Sequence, residues 1–346
     1  MNRVRRGWWG RLAIGLGCLA VGLGLFVWTQ RQWLAELWAV RCLTHAQTDD
    51  QRAAAVGRLV ELGEPVVPRL LPLLQADDPA QAEAVCRVLC QIAATWPAGD
   101  ARRAEWLGRL REAFNTASPA GKSAVLVCAA ELDTPEDTTT HATCRELAVA
   151  ALEQSTSKLI LQGIALALRA HLQCLDKVTP LLHHAEAEVR QAAMLAVGPH
   201  RHLIGDEELL TWLHDSDAEV RKLCETALRS RGLTGREVRL GKLLTHPQPS
   251  ERLKLLVHLT EEEELDVSEW LLRLSQDPSP AVRAGVVRVW VERGLPVDDR
   301  LHEMAANDAD PTVVQIVRYY LSRLNAPPPA NPLRRPVHIP ASYRFE

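Results

Sequence analysis

Aromatic residues are scarce in this chain: three Phe and three Tyr in 346 residues, with aromatics at 5% overall. A sheet core draws on aromatic and β-branched side chains, and no segment sustains the period-two alternation of a half-buried strand. Neither charge dominates, with 40 Lys and Arg against 43 Asp and Glu and a net charge of −3. That balance gives no global drive toward nucleic acid. The eight Cys include no C-x-x-C pair, which excludes a zinc knuckle or a thioredoxin-type motif. With Cys18 set aside in a hydrophobic run, an odd number remains, which argues against a full disulfide framework. Also missing are G-x-S-x-G, a phosphate loop, G-x-G-x-x-G and H-E-x-x-H.

What is present is a repeat. Arg190, Arg221, Arg252 and Arg283 follow one another at a step of 31 residues. Two apolar columns share that step: Ala193, Cys224, Leu255, Val286 and Val317, then Val197, Leu228, Leu259, Trp290 and Leu321 four residues further on. The apolar content, 47% of the chain, is carried by Ala, Leu and Val, which suit closely packed helices. Asp49-Asp50 opens a helical pattern that Gly63 stops, and Glu64-Pro65 restarts it. Val66, Val67, Leu70, Leu71 and Leu74 then share one face at helical spacing, and Asp77-Asp78-Pro79 breaks it. Similar turns recur at 183–185, 214–217, 245–247, 276–278 and 307–311, where Asp and Ser can cap the next helix and Pro fits its first turn. The expected fold is all-α, an α-solenoid with its repeat domain at 45–325 and about nine antiparallel helix pairs counted between residues 31 and 325, each unit burying its apolar face on its neighbours.

The unit GEPVVPRLLPLLQADD with a second apolar helix after it, and Val220-Arg221 and Val282-Arg283 downstream, resembles the HEAT and HEAT-like repeats, the roughly 30-residue phycobilisome-lyase type above all. The resemblance is sharp over 48–93 and from Val189 to Val317, and blurred over 97–175, where the register slips. It implies a fold more than an activity. Each Arg of the column sits six residues after a turn position, as in Asp215–Arg221 and Asp277–Arg283, an offset similar to the family's Asp-to-Arg ladder that ties turns along the stack. His184 and His246 stand where that ladder has Asp, and Asp308 is followed at this offset by Val314 rather than Arg.

Residues 12–28 form an uncharged run, with Trp8 and Trp9 before it and Trp28 and Trp33 at its far end. This is near the lower limit for a membrane-spanning helix, with aromatic residues where the two interfaces would lie. Arg3, Arg5, Arg6 and Arg11 flank its N-terminal side. The expectation is a single-pass anchor, residues 1–11 cytoplasmic and the repeat domain extracytoplasmic, with 29–44 as a juxtamembrane helix. A cleaved signal is disfavoured by the bulky polar Thr29-Gln30-Arg31-Gln32-Trp33, and a lipoprotein site at Cys18 by Gly15. Residues 326–346 are Pro-rich, with a basic end at Arg334, Arg335 and Arg344, and are expected to be disordered.

No residue is assigned a catalytic, cofactor-binding or metal role. Cys86 and Cys90, four apart on one helix face, are expected as small buried hydrophobes. His183, His184, His200, His202 and His214 cluster in sequence without a ligand spacing, although stacked turns would allow His184 and His214 to approach. Glu261-Glu262-Glu263-Glu264 is expected to solvate a turn. The expected function is a non-catalytic, membrane-anchored scaffold for a protein or peptide partner, with no nucleic acid. A lyase-type enzyme or helper holding a bulky ligand in the groove, implied by the family resemblance alone, and a spacer in a membrane complex are the alternatives.

Overall fold

The computed structural model describes residues 31–261, 267–296 and 299–324, and these are helical, with no strand among them. The candidate anchor 12–28, Glu262–Glu264 and the tail lie outside the described residues. No described helix is long and apolar enough to cross a membrane. The α-helices, in chain order, are α1 over 31–44, α2 (Asp49–Leu62), α3 (Val67–Leu70), α4 (Pro79–Ala93), α5 (Ala101–Thr116) and α6 (Pro119–Leu132). They continue with α7 (Thr138–Leu152), α8 (Ser157–Ala167), α9 (Ala187–Val197), α10 (Asp206–Thr211), α11 (Ala218–Ser230) and α12 (Gly235–Leu244). The last are α13 (Pro249–Glu261), α14 (Ser268–Leu274), α15 (Pro280–Glu292), α16 (Asp299–Asn307) and α17 (Pro311–Leu324).

The turns do what their residues dictate. Thr48 accepts from the Gln51 amide at the start of α2, and Gly63, at φ 68°, ends it. Asp78 accepts from the Ala80 and Gln81 amides with Pro79 in the first turn of α4. Ser118 accepts from the Gly121 amide at α6. These side chains satisfy amides that the first helical turn leaves unpaired.

One expectation needs correcting. Residues 64–75 bury Val66, Val67, Leu70 and Leu74, but not as a single α-helix. The segment is 3-10 over Glu64–Val66, α over Val67–Leu70 and 3-10 again over Leu71–Gln75. Pro65, Pro68 and Pro72 each sit in the first turn of one of these pieces. A proline has no amide to donate and its ring crowds the preceding turn, so the α pattern cannot run through.

The second helix of each pair begins at Asp49, Pro79, Pro119, Ser157, Ala187, Ala218, Pro249, Pro280 and Pro311. The step is 31 from Ala187 to Pro311, but 40 from Pro79 to Pro119 and 38 from Pro119 to Ser157. That is where the sequence register slips. Those two repeats have full-length first helices, α5 and α7, where the repeats after them use 3-10 or shorter α pieces.

The chain divides into two compact units, Met1–Asp206 with Asp217–Ala227, and Glu207–Ser216 with Leu228–Glu346. In the first unit α2, α4, α6, α8 and α9 pack in succession as one layer, and α5 and α7 lie in the other. In the second, α13, α15 and α17 form the corresponding layer, packed on α12, α14 and α16. The apolar columns are the core between layers. Ala193, Cys224, Leu255, Val286 and Val317 are fully buried, as are Val197, Leu228 and Leu259.

Candidate functional site

The outward side of the second helices carries its own column. The ninth residue is Val127 in α6 and Leu195 in α9 of the first unit, and Val257, Arg288 and Tyr319 in α13, α15 and α17 of the second; Gly57, Arg87 and Ala165 hold the same position in α2, α4 and α8. All are exposed, Leu195 at 61% and Tyr319 at 56%. From Leu195 the positions Thr226, Val257, Arg288 and Tyr319 keep the step of 31. Shallow grooves run between consecutive helices on this side. In the first unit a groove of about 390 Å³ is lined by Pro79, Glu83, Cys86, Ser123, Val127 and Lys158. In the second, one of about 600 Å³ is lined by Ala284, Arg288, Gln315, Ile316, Tyr319 and Tyr320. Both mix apolar surface with charge, which suits an extended polypeptide better than a single small molecule.

Three thiols meet at the first groove. Cys86 and Cys90 lie one turn apart on α4, and Cys128 of α6 reaches across to them. Cys128 Sγ lies 3.0 Å from Cys86 Sγ and donates to it, and Cys90 Sγ is 3.9 Å from Cys86. They are 6%, 8% and 1% exposed in the order Cys86, Cys90, Cys128. The Cys128 thiol beside it, then that of Cys90, holds Cys86 well below the usual thiol range. Cys128 is pushed up by donating to both neighbours and by burial. Cys90 is drawn down by Cys128, but donation to Cys86 and burial outweigh this and push it up. The pair Cys86–Cys90 was legible in the sequence as one helix face. Cys128, 42 residues from Cys86, was not, because its approach depends on the offset between two long repeats.

The Arg column is structural, and its pairing differs from the expected one. Arg252 gives two parallel bonds to the Asp277 carboxylate, Nε to Oδ2 at 2.6 Å and Nη2 to Oδ1 at 2.8 Å. Arg283 treats Asp308 the same way, at 2.9 and 2.8 Å. Each also grips the backbone of its own turn: Arg252 Nη1 donates to the His246 and Pro247 carbonyls, Arg283 Nη1 to those of Asp277 and Pro278. Arg190 holds the His184 and Ala185 carbonyls likewise. The Asp six residues before an Arg thus offers its backbone carbonyl. The carboxylates of Asp277 and Asp308 pair with the Arg of the preceding repeat, Arg252 and Arg283, and also cap their own turns through the Ser279 and Asp310 amides.

Histidine fills part of the same role. His184 Nδ1 accepts from the Glu186 amide and His246 Nδ1 from the Gln248 amide, the i to i+2 bond that Asp makes elsewhere. His214 packs on His246, with ring centroids 4.9 Å apart, and its Nε2 meets the Lys242 carbonyl at 2.9 Å. Burial pushes His214 down. His200 and His202 pack on each other in the turn after α9.

Asp133, His141 and His171 form a second convergence that sequence spacing did not reveal. His171 Nε2 meets Asp133 Oδ2 at 2.7 Å, and the two imidazoles lie 4.5 Å apart. Arg169 also bonds Asp133 Oδ2 at 3.0 Å and reaches the Ala130 and Asp133 carbonyls. His141 Nε2 is taken by the Thr134 carbonyl. The guanidinium supplies the positive charge a cation would bring, so this network holds the turn after α6 in place.

No family model matches this sequence, and no curated protein does. Among solved structures, the crystal structure of an engineered protein aligns with 84% of this chain and 99% of its own, at 16% identity and a TM-score of 0.25, too low a likeness to bear on fold or function.

Proposed function

We propose that this chain is a HEAT-like α-solenoid scaffold on a single N-terminal membrane anchor, and that it binds a protein or peptide partner without catalysing a reaction. The observation that carries this reading is the outward column of the second helices, Val127 and Leu195 in the first unit and Val257, Arg288 and Tyr319 in the second, with grooves beside it. An array that repeats one outward position presents successive contacts to an extended partner. The anchor reading draws support from α1. Its Trp33, Leu34, Leu37 and Trp38 are exposed, while Ala39 and Leu43 are buried and Glu36 pairs with Arg69 at 3.0 Å. Large exposed apolar residues directly after an uncharged run of 17 (residues 12–28) suit a helix lying in the bilayer interface, with the array on the extracytoplasmic side.

The test is a series on the full chain that puts negative charge on the outward column. Val257→Asp, Arg288→Glu and Tyr319→Asp together are expected to abolish partner capture, each alone to weaken it, and the helical spectrum to stay unchanged. Loss of all activity on a single substitution at His184, His200, His202 or His214, with the fold intact, would favour an enzyme instead.

A further inference from the structure

The repeat architecture accounts for one small buried residue at each core position, as Cys224 shows in the apolar column. It does not account for three thiols from two helices meeting under a groove. The Sγ atoms of Cys86, Cys90 and Cys128 all lie within 4.8 Å of one another. A tetrahedral zinc ion with Zn–S bonds of about 2.3 Å needs its sulfurs about 3.8 Å apart. Cys86 and Cys90, at 3.9 Å, already meet that spacing. Cys86 and Cys128, at 3.0 Å, have to open by about 0.8 Å, within reach of a thiol rotation.

We propose that Cys86, Cys90 and Cys128 form a three-thiolate site for a divalent ion of the zinc class, its fourth coordination position open toward the groove. Cys86 lines that groove, so the ion has an entry path and water a way to the fourth position. Charge selects the divalent ion. Three thiolates around a 2+ ion leave one net negative charge in a largely buried place; around Cu(I) they leave two, which costs more to bury. Binding releases the thiol protons to solvent. A Cys86–Cys128 disulfide would use two sulfurs and leave Cys90 without a purpose; the metal uses all three.

The experiment is a titration of the full chain, reduced and stripped of metal, with Co²⁺ as the spectroscopic probe. One Co²⁺ per chain is expected, with thiolate-to-cobalt charge transfer and the intense visible bands of a tetrahedral site, bleached by one equivalent of Zn²⁺. Cys86→Ser and Cys128→Ser are each expected to lower Zn²⁺ affinity by at least about 100-fold, beyond the loss seen when only an outer-shell partner is removed. Cys42→Ser and Cys174→Ser should leave it unchanged. Cys128 is a core residue, so Cys86→Ser, at the groove, is read beside its circular dichroism and metal-free melting curve to separate a lost site from a lost fold. The proposal is overturned if the reduced wild-type chain takes up no stoichiometric Co²⁺, if the charge-transfer band survives Cys86→Ser, or if Cu(I) binds and Zn²⁺ does not compete. None of these readouts involves partner capture, so the site stands or falls apart from the scaffold reading.

Discussion

Arg252 sits at the junction of two turns, gripping the backbone of its own and the carboxylate of the next, and it is 7% exposed. Removing it leaves Asp277 buried without its partner. Arg252→Ala is therefore expected to cost about 3–5 kcal/mol, as much as the about 2–5 kcal/mol for emptying the apolar column by Leu259→Ala. Arg252→Lys should rescue little of this, since an ammonium cannot make the parallel pair of bonds. Urea unfolding of the three variants checks the order; near-neutral Arg252→Ala would mean that the turns hold without the ladder. Asp308 gives the same pairing a pH signature. Arg283 holds its carboxyl below the ordinary value of 3.8. A depressed carboxylate stabilises the fold fully above its unfolded value, and the contribution is lost as pH falls through the folded one. Stability should thus drop as pH falls below about 4, and Asp308→Asn, already less stable at neutral pH, should show a shallower acid decline. The 31-residue spacing of these Arg was plain in the sequence. The direction of their pairing was not, because it depends on how far one repeat is displaced along the next, which spacing within one chain does not encode.

At the scale of elements, helix starts were the most legible feature. Asp78 caps α4 with Pro79 in its first turn, as the Asp-Pro turn suggested; Thr48 and Ser118 cap α2 and α6, although neither stood out in the sequence. Less legible was the first helix of each pair, which is 3-10 in part over Glu64–Gln75 and throughout Leu175–His183, both with proline inside, and which lengthens to α5 and α7 in two others. The lengthening hid the convergence of Cys128 on Cys86, since it shifts α6 by a distance the regular repeat does not predict. The position of α6 is also fixed by Gly121. A Cβ there would lie 2.0 Å from the Leu74 carbonyl oxygen, and Ser118 bonds the carbonyls of the same turn. Gly121→Ala should force the helix off that turn and cost about 1–3 kcal/mol, as other overpacked sites do. Because the thiol site depends on the position of α6, the variant should weaken Co²⁺ binding as well. A melting temperature equal to wild type would show that the approach is looser than the geometry says.

For the whole molecule, the all-helical fold of the described residues and the buried columns followed from periodicity, because a column residue meets the same environment in each repeat; Leu321, in the last described repeat, is only partly covered. The proposal of a membrane anchor rests on the uncharged run 12–28 in the sequence and on the exposed apolar residues of α1. Leu16→Arg with Leu23→Arg should release the chain from membranes or block its insertion, each central charge costing about 2.5–3.5 kcal/mol; carbonate extraction reads this directly, and a mature chain beginning beyond residue 28 would show a cleaved signal instead. Partner identity was not legible at any scale, since repeats specify a surface and leave its chemistry to scattered outward residues. The most direct measurement is site-specific photocrosslinking of the full chain in its native membrane. A photoreactive residue is placed in turn at Val127, Leu195, Val257 and Tyr319 on the second helices, and at Leu272 on α14 of the other layer. The account predicts one discrete crosslinked protein, the same from the four outward positions and absent from Leu272. Crosslinks that arise equally from Leu272, or none from the outward column, would contradict it.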